Sequence, residues 1–164
     1  AIASYHLVRT LNPAYEPNLR KLISVRSELL ANASDAQQRE QQKLLLIHDL
    51  EHLLVVNPED RRAKLLLATF LYERSDPFFD KAQLERARQI ALKLTEDSAF
   101  NDTEAIALHT RISLKQKNLN LAEDFLLKGL AKSPKSELLQ QAKTQLAVVK
   151  QVEQNAANTA IKIP

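Results

Sequence analysis

An all-α fold follows from three observations on the sequence. One glycine and six prolines in 164 residues are too few turn signals for a sheet protein, which needs Gly, Asn or Pro at most of its many reversals. The bulk of the chain is Leu, Ala, Lys, Glu, Gln and Arg, the strongest helix formers. The apolar residues recur at offsets of three and four, the spacing that lines one face of a helix with about 3.6 residues per turn.

The elements follow in order. Residues 1–12 predict a partial helix with Ile2, Tyr5, Val8 and Leu11 on one side, and Pro13 and Pro17 then mark a boundary. A helix over about 18–32 carries Leu19, Leu22, Ile23, Leu29 and Leu30 on one face. Asn32-Ala33-Ser34-Asp35 turns the chain, with Ser34 or Asp35 as N-cap of a helix that runs to Val56. Asn57 is the expected cap of the next helix, with Pro58 at its first position and Glu59 and Asp60 in its first turn, and the helix ends near Arg74. The stretch Asp76-Pro77-Phe78-Phe79-Asp80 reads as an inserted loop, after which Asp80 with Gln83 forms the pattern of a capping box. Asn101 with Glu104 repeats that pattern for the next helix. Ser133 or Ser136 caps a last helix over about 136–155, whose Gln- and Lys-rich side suits a solvated end. The domain organisation expected is a segment or linker over 1–16, a helical domain over 17–155 and a tail over 156–164.

These helices contain a repeat. Leu84, Ala87, Ala91 and Leu94 share their offsets with Leu119, Ala122, Leu126 and Gly129, and Leu46, Leu50 and Leu53 occupy a matching face. The step from Ala87 to Ala122 is 35 residues, and the step from Leu46 to Ala87 is 41, the excess falling at the inserted loop. A helix–turn–helix unit with a period of about 34 residues is the signature of the tetratricopeptide repeat. The chain resembles that family over roughly 17–155: Ala122, Leu126, Gly129 and Pro134 match its second helix, and Leu67-Ala68 with Leu71-Tyr72 match its first helix in the middle repeat. His109-Thr110 and Ala99 depart from the pattern. The resemblance implies a right-handed superhelical stack of antiparallel helix pairs, an α-solenoid. It also gives the single glycine a reason, since Gly129 would stand where the next repeat's first helix crosses close to the backbone.

Composition excludes several function classes. The 23 basic and 20 acidic residues give a net charge of +3, and the two signs are interleaved rather than gathered into the stripe of a nucleic-acid binder. The absence of Cys rules out a disulfide framework and a thiol nucleophile, and a chain with one glycine has no phosphate-cradling loop. No apolar run approaches the ~20 residues of a membrane helix. Residue 1 is not Met, so the expectation is a mature form or a piece of a longer protein, with cytoplasm and periplasm both open.

The candidate sites are few. His48-Asp49-Leu50-Glu51-His52 fits H-x-x-E-H, in which two imidazoles one helical turn apart can share a zinc ion. A third ligand is not evident, the histidines fall off the Leu46, Leu50, Leu53 face, and no metal or cofactor is expected. The family resemblance implies a concave groove lined by first-helix residues: Arg62, Leu65, Thr69, Tyr72 and Glu73 in the middle repeat, and Glu104, Ala107, Arg111, Leu114 and Lys115 in the last. Arg111 and Lys115 are one turn apart and suit a peptide carboxylate. Phe78 and Phe79 in the inserted loop are the other expected contact. The function expected is a non-catalytic scaffold or adaptor that takes a partner peptide or protein in the groove, and an oligomer is compatible with it. The alternative is a structural soluble segment of a larger membrane-anchored envelope or secretion component.

Overall fold

Eight helices account for almost all of the residues described by the computed structural model, which are 2–76 and 80–160, and none of these residues forms a strand. The protein is all-α. It divides into two compact units, Ala1–Glu73 and Arg74–Pro164.

The first unit is built from α1 (Ile2–Leu11), α2 (Glu16–Ala31), α3 (Ala36–Val56) and α4 (Arg61–Arg74). Helices α2 and α3 pack on one another, and Leu19, Leu22 and Ile23 on α2 and Leu46, Leu50 and Leu53 on α3 are all buried. Complete burial of one such leucine stabilises the fold by roughly 2–3 kcal/mol relative to leaving it wet. The residues set apart in the sequence as a leading segment form α1, which packs on α2. There the Asn18 side-chain amide donates to the Tyr5 carbonyl at 2.9 Å. Polar ties hold α4 to its neighbours: Lys43 pairs with Glu73 at 2.6 Å, Arg20 with Asp60, and the Asn57 amide donates to Glu16 at 3.3 Å.

The second unit contains α5 (Lys81–Asp97), α6 (Thr103–Lys115), α7 (Leu119–Lys132) and α8 (Glu137–Ala160). Helix α6 packs against α5, α7 and α8. Its core is Ile106, Ala107, Ala122, Leu126, Leu139, Ala142 and Leu146. Ala87, Ala122 and Gly129 are all buried. A Cβ on Gly129 would lie 2.9 Å from two carbons of Ile106 and 3.2 Å from Leu139. The close approach is therefore made first by α6, the preceding helix, and second by α8, the following one. Helix α8 continues to Ala160, past the residue at which the sequence places the tail.

Two of the expected caps move and a third makes no cap bond. Asp60, not Asn57, caps α4: the Ala63 amide donates to Asp60 Oδ1 at 2.8 Å, Pro58 and Glu59 lie in the preceding turn, and Asn57 is engaged with Glu16. Asp102, one residue after Asn101, caps α6 through the Ala105 amide at 3.1 Å. Asp80 stands at the start of α5 without a side-chain cap bond, its carboxylate turned instead to the Asp76 amide at 3.4 Å. Of the alternatives the sequence offers, Asp35 rather than Ser34 caps α3, and Ser136 rather than Ser133 receives the Leu139 amide at the start of α8.

Candidate functional site

The first unit has a cleft of about 560 Å³ among α2, α3 and α4. Its floor is apolar: Ile23 from α2, Leu50 and Leu53 from α3, Ala63 and Leu66 from α4. Its rim is polar, with Arg20, Ser24, Ser27 and Glu28 along α2 and Arg62 on α4. An apolar concavity with a few convergent polar groups is the form that binding sites take. Arg20 is already engaged, donating to Glu16 at 2.6 Å and pairing with Asp60. The Arg20 and Asn57 hydrogen bonds hold the Glu16 carboxyl below its ordinary value. Partial burial pushes the Asp60 carboxyl up, but the Ala63 amide and the Arg20 guanidinium outweigh it and hold that group low as well. Arg62 and Glu28 make no ion pair or side-chain hydrogen bond among the described residues.

Of the residues that the sequence nominates, the structure brings Arg62 to this cleft. Leu65, Thr69 and Tyr72 lie half-buried on the adjacent stripe of α4, and the Thr69 hydroxyl donates back to the Leu65 carbonyl at 2.9 Å. Arg111 and Lys115 lie half-buried on α6 in the second unit, where Arg111 Nε is buried without a hydrogen-bond partner. Phe78 and Phe79 lie outside the described residues. His48 is exposed, with Nδ1 3.6 Å from an Asp49 oxygen, and His52 is half-buried. Among the described residues no group of three His, Cys, Asp or Glu is placed to hold a metal ion.

Two buried polar features escaped the sequence reading. Arg26 Nε donates to Asp49 Oδ2 at 2.5 Å with both side chains almost fully buried, and Arg26 Nη2 lies 3.1 Å from His6 Nε2. Arg26 falls four residues after Leu22 and Asp49 three after Leu46, so each sits on its helix's apolar stripe. Opposite charges on the buried faces of consecutive helices were the available signal. The second feature is His109 on α6, fully buried and stacked on Phe125 at a centroid distance of 4.0 Å, with neither ring nitrogen hydrogen-bonded. Burial, reinforced by the Arg88 charge, pushes its pKa from 6.5 down to about 4. Ser113, one turn along the same face, is buried with its hydroxyl unpartnered.

A second, more polar cleft of about 510 Å³ in this unit is lined by Glu85, Arg88 and Gln116 among others. Those three are bound to one another: Arg88 forks onto Glu85 at 2.6 and 2.8 Å, and the Gln116 amide donates to Glu85 at 3.2 Å. The Arg88 hydrogen bond, opposed by partial burial and aided by Gln116, takes the Glu85 carboxyl down to about 2. These side chains are satisfied by one another and tie α5 to the α6–α7 turn.

Set beside protein-family models, curated proteins and solved structures, the chain matches none of them. Among the described residues no helix is long and apolar enough to cross a membrane.

Proposed function

We propose that this chain is a non-catalytic protein-interaction scaffold that takes a segment of a partner protein into the cleft of its first unit. In this reading the helices are tetratricopeptide-like, with α2–α3 and α6–α7 as helix pairs of a superhelical stack and α8 as its solvated cap. The observation that carries the proposal is the cleft itself, an apolar floor of five side chains under a rim that presents Arg62 and Glu28. The small buried residues Ala122 and Gly129, and the packing of α6 on both α7 and α8, support the repeat assignment.

The test uses a displayed library of random peptides panned against the full chain and against Ser24→Trp. Ser24 is exposed and lines the cleft, so an indole there fills the cavity without entering the core. The expected outcome is a set of peptides enriched on the wild type and lost on the variant, with unchanged thermal unfolding. Enrichment of the same peptides on both, or of none on either, refutes the proposal.

A further inference from the structure

Helix α1 is held to the first unit on one side. Among the described residues it packs on α2 and on no other helix, while Leu7 and Leu11 on its outer side are 61% and 77% exposed. Two polar ties fix it. The Asn18 side-chain amide donates to the Tyr5 carbonyl, and Arg26 Nη2 lies 3.1 Å from Nε2 of the half-buried His6. A guanidinium donates hydrogen bonds and never accepts them. The second tie is therefore a hydrogen bond only while Nε2 keeps its lone pair, which requires a neutral imidazole with its proton on Nδ1.

We propose that α1 is a strap whose docking depends on an uncharged His6, and that protonation of this imidazole releases it from α2. The surrounding charges set the sign. From α2, Arg26 presents a positive charge to the ring. From α3, Asp49 is committed to Arg26, whose Nε it meets at 2.5 Å, and its other oxygen lies 3.6 Å from His48 Nδ1. The α1 sequence contains Arg9 and no acidic residue, and Glu16, at the start of α2, is bound by Arg20. A protonated ring thus loses its acceptor and meets a like charge at hydrogen-bond distance, which disfavours the charged form in the docked state. Docking is therefore strongest where the ring is neutral. It weakens as pH falls through the range in which imidazoles take up a proton, about pH 8 to about pH 5. An isolated helix as short as α1 is marginal in water, so release also unwinds it. The packing of α2 on α3 does not involve α1, and the effect stays local.

The test follows hydrogen exchange of the Thr10, Leu11 and Asn12 amides in the full chain from about pH 8 to about pH 5, each rate corrected for the intrinsic exchange at that pH. Asn12 belongs to the set because its amide donates to the Val8 carbonyl at 2.8 Å. Protection of these amides is expected to fall roughly tenfold across the range. His6→Gln carries no charge and offers Arg26 a carboxamide oxygen, so its protection is expected to stay level and as high as that of the wild type at the upper end. His6→Lys is charged throughout and is expected to show low protection at the upper end as well. His48→Gln leaves His6 and Arg26 in place and is expected to keep the wild-type profile. Level protection in the wild type overturns the proposal. A fall that persists in His6→Gln, or one that vanishes in His48→Gln, assigns the titration elsewhere and overturns it too. Amides of α2 and α3 that lose protection in parallel with those of α1 also overturn it, because the first unit is then opening as a whole.

Discussion

Gly129 is buried in the body of α7, three residues before its end, with Ile106 and Leu139 against the place a side chain would occupy. Alanine would gain about 1 kcal/mol of helix propensity there, but its methyl would stand 2.9 Å from the branched Ile106 side chain, which is itself fully buried. Overpacking of this kind costs about 1–3 kcal/mol. Gly129→Ala is therefore expected to lose about 1 kcal/mol net and Gly129→Val more, read as a lower denaturation midpoint. An unchanged or raised midpoint would show that the contact has slack. The buried Arg26–Asp49 pair has a sharper asymmetry. Asp49→Ala leaves the guanidinium buried against one imidazole, an expected loss of about 3–5 kcal/mol. The double substitution Arg26→Leu with Asp49→Leu removes both charges and is expected to recover most of that loss in the same denaturation measurement.

Helix ends in the second unit dispense with glycine. After α5, the Ala99 amide donates to Glu96 at 2.8 Å and the Phe100 amide to Thr95 at 2.9 Å, with Ala99 and Phe100 at φ 50° and 63°. After α6, the Lys117 amide donates to Leu114 at 2.9 Å and the Asn118 amide to Ser113 at 2.8 Å, with Lys117 at φ 59°. Both are Schellman closures, which satisfy the last carbonyls of a helix and ordinarily place glycine at the left-handed residue. Asn118 then accepts the Leu121 amide and starts α7 at once. Phe100 also anchors its closure by packing on the core near Phe125, at a centroid distance of 5.5 Å. A Cβ in the left-handed region costs roughly 1 kcal/mol. Lys117→Gly, whose side chain is exposed, is thus expected to stabilise the chain by up to about 1 kcal/mol, measured as a rise in midpoint. A fall would show that the lysine stem contributes more than the strain removes.

Across the molecule, acid acts on the two units in different pH ranges. His109 in the second unit has its pKa depressed from 6.5 to about 4, so in that interval the unfolded chain binds a proton that the folded chain refuses. Stability tied to His109 is complete above 6.5 and is lost as pH falls towards 4, a loss of roughly 3 kcal/mol at ~1.4 kcal/mol per pKa unit. Glu85 adds a loss of the same sign at lower pH, between 4.5 and about 2. The depressed carboxylates of the first unit, Glu16 and Asp60, have ordinary values of 4.5 and 3.8 and act only below them. Hydrogen exchange on the intact chain is therefore expected to show protection falling in α6 and α7 between pH 6.5 and 4 before it falls in α2 and α3. His109→Leu, which removes the unpartnered imidazole, is expected to abolish that difference. Equal loss in both units, or an unaltered profile in the variant, would contradict it.

Much of this architecture was legible in the chain itself. Helix periodicity is local, repeated every turn, and summed over many residues, so the all-α class, the α3 end at Val56 and the buried stripe of Leu84, Ala87, Ala91 and Leu94 could be read from the sequence, while residue type narrowed the caps of α3 and α8 to two candidates each. The residues with a possible role in function were less so. Arg62 was nominated, but its cleft is made by α2, α3 and α4 together, and no single helix records which polar side chain its neighbour will meet. A lone charge on an apolar stripe looks like an interruption until its counter-charge is placed beside it, as Arg26 and Asp49 show. Asp60 displaced Asn57, three residues before it, and Asp102 displaced the adjacent Asn101, because capping depends on where the chain enters the helix. The sequence by itself determined which residues form helices and which face each helix buries. The tertiary structure alone decided which buried polar groups find partners and which charges remain free at the cleft, because those depend on contacts between residues far apart along the chain.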